Sequence, residues 1–293
     1  MKDKKLEIKQ YHLHKAHPEK LQFQVHDLKQ YRQKSLAKAS LPHSHSYYQI
    51  IWFFDSGGAH TVDFQTYEIK ANTVLFISKD QIHAFDDNLD VEGRLIHFNE
   101  SFFMHSDVDI FLKYNIFDRQ QNPCYEIGED TIETSECYMS LIQKEFENQH
   151  RFGYQDAIRF LLKSFLISLE RSHHDDSDKT LKLNSAHELQ FFRFKELIEE
   201  NYSKGLPISE YADQLNVSTK TLTTITKNIA DKSPSQLIAE RVILEAKRLL
   251  KFTTLQVSEI TYQLGFEDSS YFIKYFKRYV HSSPRVYREL VST

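Results

Sequence analysis

Two stretches of the chain, ISEYADQLNV at residues 208–217 and VSEITYQLGF at 257–266, are related copies. Ile208 aligns with Val257, Ser209 with Ser258, Glu210 with Glu259, Gln214 with Gln263 and Leu215 with Leu264. After one inserted residue, Leu222 aligns with Phe272, Lys227 with Lys277, and Ser233-Pro234 with Ser283-Pro284. A period of this length marks a repeated supersecondary unit. Ser209 and Glu210 suit a helix start, where an oxygen acceptor and an acid meet free N–H groups. Ala212 is small where another helix must approach. Asn216 and Gly265 stand where a helix ends in a left-handed residue. Val217 and Phe266 then plug the turn, and Ser218 and Asp268 are N-caps for the next helix. Each copy therefore reads as helix, short turn and helix, the arrangement that lays its second helix in the major groove of DNA.

The second helices are predicted at Thr219–Ile229 and Ser269–Tyr279. The first is expected to expose Lys220, Thr221, Thr223, Thr224 and Lys227, the second Ser269, Ser270, Lys274, Lys277 and Arg278. With the caps Ser218, Thr219 beside it, and Asp268, these are the candidate DNA contacts. Early Ser, Thr and Lys residues reach base edges, and later Lys and Arg suit phosphate. Between the copies, SQLIAERVILEAKRLLK at 235–251 is strongly helical. It is a rigid spacer of about 25 Å at 1.5 Å per residue. Two heads so separated suit successive major grooves on one DNA face, roughly 34 Å apart, once their own width is added.

Upstream, the composition changes. Residues 1–183 carry 22 Lys and Arg against 28 Asp and Glu, whereas 184–293 carry 15 against 13. The C-terminal part thus leans towards anions. At the changeover, RSHHDDSDKTLKLNS (171–185) is polar and aperiodic and reads as a linker. From Tyr47 to Asn99, short β-branched and aromatic runs at Gln49–Phe54, His60–Phe64, Thr73–Ile77 and Arg94–Phe98 alternate with turn signals. Among those signals are Ser56-Gly57-Gly58, read as a tight hairpin, and Asp86-Asp87-Asn88. Short strands at even spacing predict an antiparallel barrel or sandwich. Residues 131–149 and 154–171 then switch to helical period, with Ile158, Leu161, Leu162, Phe165, Leu166 and Leu169 on one stripe. One face of this pair can pack on the barrel; a second apolar face would pair with another subunit.

Whole-chain composition limits the function classes. A length of 293 residues suggests two or three domains. The formal net charge of −4 excludes a uniformly basic coat for nucleic acid. Two cysteines, Cys124 and Cys137, exclude a disulfide framework and a cysteine-based zinc cluster. No apolar run is long enough to span a membrane, and the N-terminal MKDKKLEIKQYHLHK lacks the apolar stretch of a secretory signal. These features predict a cytoplasmic protein.

Residues 207–288 resemble the DNA-binding region of the AraC/XylS transcription regulators. The resemblance is carried by Ile208, Ala212, Leu215, Val217, Ser218, Leu222, Lys227 and Ser233-Pro234, then by Ile260, Leu264-Gly265-Phe266, Tyr271-Phe272, Phe276-Lys277-Arg278 and Ser283-Pro284. Pro42 to Phe98 resembles, less specifically, the cupin-like effector domain of many members, and the helical pair sits where that family usually dimerises. The resemblance implies an α+β multidomain fold. It comprises a cupin-like sensing domain (1–130) with an antiparallel β-barrel, a dimerising helical pair (131–171), a linker (172–185) and an all-α domain of two helix-turn-helix units joined by a linker helix (186–293). It also implies double-stranded DNA, a small-molecule effector, RNA polymerase and a second copy of the chain as partners, and no cofactor. The chain departs from the family pattern at Thr224, where many members have Arg, and at Thr226, where they have Phe. Asp231 and His281 replace a common Gly, and Thr261 a usual Ala. Weaker DNA contact by the first unit is expected from these departures.

In the N-terminal part, His43 and His45 form an HxH pair, Gln49 follows, and His83 comes later. Alternate strand residues share a face, so both members of the pair can look into a barrel. Metal-binding cupins use a similar set with a carboxylate, but the carboxylate position here is the neutral Gln49, so no metal site is assigned. The expected use of the barrel mouth is an effector pocket with His43, His45, Tyr47, Trp52, Phe64, His83 and His97 as candidates. The first 40 residues, with Phe23, Val25, Leu28 and Tyr31, are candidates for an arm over that pocket. A metal-dependent cupin enzyme with a helical appendage is the rival reading, and a regulator without an effector is a third.

Overall fold

The computed structural model describes residues 8–14, 20–86, 90–103, 123–173 and 186–291. The linker expected at 172–185 lies outside these from residue 174 onward, as do the turn residues Asp87 and Asn88 and residues 1–7 and 15–19 of the expected arm. The chain divides into two compact units.

The first unit holds ten strands among the described residues: Lys9–Tyr11 (β1), Phe23–Asp27 (β2), His43–His45 (β3), Tyr48–Phe53 (β4), Ala59–Val62 (β5), Gln65–Glu68 (β6), Thr73–Ile77 (β7), His83–Phe85 (β8), Gly93–Phe98 (β9) and Cys124–Glu126 (β10). They form two five-stranded sheets in the orders β1-β3-β8-β5-β6 and β10-β7-β4-β9-β2. Among the described residues all pairs are antiparallel, as expected, except β1 with β3, which runs parallel. Local residue patterns carry no record of which edge a short N-terminal strand will join.

β4 explains the continuous apolar run in YQIIWF. Ile51 and Phe53 join a cluster with Val62 and Phe85 of the other sheet, while Ile50 and Trp52 point to the opposite face. That face is covered by two helices, Glu129–Glu147 (α2) and Tyr154–His173 (α3), through Met139, Ile142, Ile158, Leu162, Phe165 and Leu169. A strand buried on both faces loses its polar alternation. The predicted helical pair is therefore present and roofs the second sheet.

The Ser56-Gly57-Gly58 turn is not a hairpin. It carries the chain from β4 in one sheet to β5 in the other, and Gly58 takes φ 59° there. The tight hairpin instead joins β5 to β6, where Val62 pairs with Gln65 and Asp63, with φ 53°, makes the turn beside Phe64. A helix at Leu28–Ala39 (α1), not predicted, buries Leu28 against the inter-sheet cluster.

Among the described residues from 186 onward, the second unit is built of helices and their turns. It contains Ala186–Asn201 (α4), Ile208–Gln214 (α5), Thr219–Ala230 (α6), Pro234–Phe252 (α7), Val257–Gln263 (α8), Ser269–Val280 (α9) and Pro284–Val291 (α10). Two cores share the spacer helix α7. Its start contributes Leu237 to a cluster with Phe194, Tyr211, Leu222 and Ile225. Its remainder contributes Ile243, Ala246 and Leu250 to a cluster with Ile260, Leu264, Phe272 and Phe276. At 19 residues, α7 is about 28 Å long. Ser233 caps it with a complete capping box to Gln236, and Pro234 occupies the first turn, where its missing N–H costs nothing. Arg241 anchors α7 to α4. It is buried, lies 2.8 Å from Glu199 and 2.9 Å from Glu245, and stacks 3.9 Å from the Tyr202 ring centroid.

Candidate nucleic-acid interface and histidine-lined cavity

In each helix-turn-helix unit the turn is closed as the residue types require. Asn216 (φ 53°) and Gly265 (φ 79°) are left-handed, and Val217 and Phe266 N–H groups donate to the carbonyls of Ala212 and Thr261. Ser218 Oγ accepts from Thr221 N at 3.0 Å, and an Asp268 carboxylate oxygen accepts from Tyr271 N at 2.6 Å, so both are N-caps. Ser209 is not a cap. Pro207 holds that position before α5, and before α8 Gln256 forms a capping box with Glu259. Thr261, standing for Ala, is fully buried, and its hydroxyl donates to Val257 O at 2.7 Å.

The outward faces follow from the helical period. On α6, Leu222, Ile225 and Thr226 are buried, which leaves Lys220, Thr223, Thr224, Lys227 and Asn228 exposed on the opposite side. On α9, Phe272 and Phe276 are buried, which leaves Ser270, Ile273, Lys274, Lys277 and Arg278 exposed. Ser218, Thr219 and Asp268 are exposed at the helix starts. Two expected contacts are only half exposed. Thr221 is tied to Ser218 Oγ at 2.8 Å, and Ser269 is tucked into the first turn of α9. Asn228, Tyr271 and Ile273 are exposed as well, and the offset of 50 aligns Asn228 with Arg278. The two faces are chemically unequal: two lysines and two threonines on α6, two lysines and an arginine on α9. Asp231 and His281 end these helices in left-handed conformation, at φ 51° and 60°. The Asp231 carboxylate is thus set by a C-cap.

In the first unit, strand alternation gathers histidines from four strands. His43 and His45 of β3, His60 of β5, His83 of β8 and His97 of β9 are all buried. His43 pairs with His83 across the β3–β8 ladder. His60 Nε2 lies 3.1 Å from His83 Nδ1, and His83 Nε2 lies 3.2 Å from His45 Nδ1. His43 Nδ1 meets Leu41 O at 2.8 Å. Gln49 Oε1 turns to His97 Nε2, 3.1 Å away, rather than to the other histidines. Nitrogens of His43, His45 and His83 lie within 4.8 Å of one another, and among the described residues no carboxylate or thiol completes that group. Burial lowers the basicity of His43, and of His60 down to about 3. Burial and then the neighbouring imidazoles hold His45, His83 and His97 well below the ordinary histidine value. Burial likewise raises the Tyr31 and Tyr47 phenols.

A cavity of about 230 Å³ opens beside this cluster, lined by Tyr11, His12, Tyr31, Ala39, His43, His45 and Tyr47. His43, His45 and Tyr47 were anticipated. His83 and His97 stand behind the wall, their rings 4.7 and 5.9 Å from that of His45. Trp52 and Phe64 do not line it. Trp52 lies on the helix-covered face of β4, and Phe64 in the β5–β6 turn. The N-terminal contributors Tyr11, His12 and Tyr31 were hinted at only by the apolar content of the first 40 residues.

Comparison with known proteins agrees with this anatomy. Residues 211–290 match the helix-turn-helix domain family model. The chain is 22% identical over 248 residues to the HTH-type transcriptional activator RhaS of Yersinia pestis (strain Pestoides F), spanning 83% of this chain and 87% of the relative. It is 23% identical to the RhaS of Mannheimia succiniciproducens, spanning 84% and 88%. Among solved structures, the C-terminal domain of the response regulator yesN from Fusobacterium nucleatum is 32% identical, with 32% of this chain and 93% of that chain covered and a TM-score of 0.32. ToxT from Vibrio cholerae is 16% identical, with 93% and 100% covered and a TM-score of 0.39. With its double helix-turn-helix unit matched and its length shared with transcriptional activators, the chain is a helix-turn-helix DNA-binding transcription regulator similar to those of the AraC/XylS family.

Proposed function

We propose that this regulator senses a small molecule in the cavity walled by Tyr11, Tyr31, His43, His45 and Tyr47, and that the ligand's presence changes transcription, in the direction of activation. The observation that carries the reading is a cavity edged by neutral imidazoles and phenols. Such a wall offers donors, acceptors and ring faces without formal charge. It suits an uncharged, hydroxyl-bearing or aromatic compound of modest size, since drug-sized ligands need roughly 300–1,000 Å³. The Gln49 amide nitrogen is buried with no partner, which is a further polar group held ready near this end of the barrel. The ligand must bind one domain arrangement more tightly than another, or it shifts nothing.

The working form is proposed as a cytoplasmic homodimer joined through 131–171 that contacts RNA polymerase at its promoters. Leu141 of α2 and Phe160 of α3 are exposed apolar residues on that pair. Residues 1–130 would sense, 172–185 link, and 186–293 bind DNA. The barrel is proposed as a sensor and not a catalyst.

Selection of genomic fragments by the purified full-length protein at defined salt tests the reading. A motif with two half-reads about one helical turn apart is expected, and genes beside it would indicate compounds for a thermal-shift screen. Stabilisation by one of them, lost in His45→Ala, supports the sensor; stoichiometric iron or manganese lost in His43→Ala would favour the metal-dependent enzyme instead.

A further inference from the structure

We propose that the two recognition helices read thymine through its 5-methyl group, α6 by way of Thr223 and Thr224 and α9 by way of Ile273. The proposal rests on the DNA-binding reading and names a base class that it would select.

The threonines of α6 look polar in sequence, yet their donors are spent within the helix. Thr223 Oγ1 donates to Thr219 O at 2.8 Å, and Thr224 Oγ1 donates to Lys220 O at 3.1 Å. Both residues are exposed in the middle of the outward face, between Lys220 and Lys227. A hydroxyl whose hydrogen is committed to its own backbone no longer donates to a base edge. What each side chain has left to offer a partner in the groove is an acceptor oxygen and a methyl group, and the methyl is the part that discriminates by shape. In the major groove, the surface that rewards a methyl is the thymine 5-methyl, which no other base carries.

The second copy supports the same assignment independently. The offset of 50 places Ile273 where the first unit has Thr223. Ile273 is 37% exposed although it is among the most apolar residue types, and it stands between Ser270 and Lys277 on the outward face of α9. Both helices therefore carry an apolar branch at one repeat-equivalent position, flanked by lysine. The lysines meet phosphate and set depth in the groove; the branch meets the base.

The test uses a duplex selected from a random pool by the full-length protein, with each thymine replaced in turn by deoxyuridine, which lacks only the methyl. Binding is read by fluorescence anisotropy at fixed salt. Loss of one buried methyl contact lowers affinity about fourfold, and such losses are expected at a thymine in each half-site. Thr223→Ser and Thr224→Ser should abolish the thymine-over-uracil preference in one half-site, and Ile273→Ala in the other. Thr224→Val, which keeps the branch and removes the hydroxyl, should retain it. Uracil tolerated everywhere by the wild type would overturn the proposal while leaving DNA binding intact, as would preferences unmoved by all three truncations. Failure to select any duplex would remove the DNA-binding reading and this proposal with it.

Discussion

Three left-handed residues in the helical unit look alike by dihedral angle and differ in what they tolerate. At Gly265 a Cβ would lie 2.1 Å from the Ser203 carbonyl oxygen, so no side chain fits. Gly265→Ala is expected to cost more than about 2 kcal/mol, since the conformational penalty alone is about 1–2. His281 ends α9 at φ 60° although a glycine would adopt that angle freely. His281→Gly is expected to raise stability by up to about 1 kcal/mol, and Asp231→Gly by less, because Asp tolerates this region better. Urea unfolding of the three variants, followed by helical circular dichroism, checks the order. DNA contact divides at the same scale. Lys277→Ala should weaken binding to all sequences and flatten the dependence on salt by about one unit. An unchanged slope would remove Lys277 from the phosphate contacts. Ser270→Ala should instead alter preference at particular base pairs, visible as a changed selection profile.

At the scale of elements, the helical pair α2–α3 has two different faces. The inner face is well filled by Ile142, Ile158, Leu162 and Phe165 against the second sheet, while Leu141 and Phe160 face outward. If the outward residues meet a second copy, Phe160→Asp should convert dimer to monomer in sedimentation with little change in melting temperature. A dimer of undiminished stability would move the interface elsewhere. The spacer α7 is held differently, by apolar side chains in two cores and by Arg241 between Glu199 and Glu245. Truncating that arginine removes a partner of the partly exposed Glu199, whereas Glu245 keeps Arg248 at 3.2 Å. Arg241→Ala is therefore expected to lower helical-unit stability by about 1–3 kcal/mol, the worth of charge-assisted hydrogen bonds to partly solvated carboxylates, measurable in the same urea series.

For the whole molecule, the barrel's histidines couple folding to pH. His43, His45, His60, His83 and His97 are held neutral by burial, so their folded values lie below the ordinary 6.5. The unfolded chain binds more protons below that value, so stability is present above about pH 6.5 and falls as pH drops towards the folded values. Each imidazole contributes up to about 1.4 kcal/mol per pH unit in that window. The barrel should melt earlier at pH 5 than at pH 7.5, and His60→Gln should shallow the dependence. A pH-independent melt would mean the cluster is solvated or protonated in the native state.

What was legible in the sequence was what local chemistry controls. The repeat, the caps Ser218 and Asp268, the left-handed Asn216 and Gly265, and the extents of α6, α7 and α9 follow from propensity, capping and helical period, each decided within a few residues. The histidines of β3 sharing a face follows likewise from a period of two. Tertiary structure alone decided the rest, because it depends on partners far along the chain. The parallel joining of β1 to β3 was one such outcome. The crossing from β4 to β5 at Gly58, and the burial of Trp52 beneath α3 rather than in the cavity, were others. So was the return of Tyr11 and Tyr31 to complete a wall begun by His43. An apolar or aromatic residue carries the tendency to be buried, but not the address of its neighbour; packing of the second sheet between its partner sheet and the helices supplied that address.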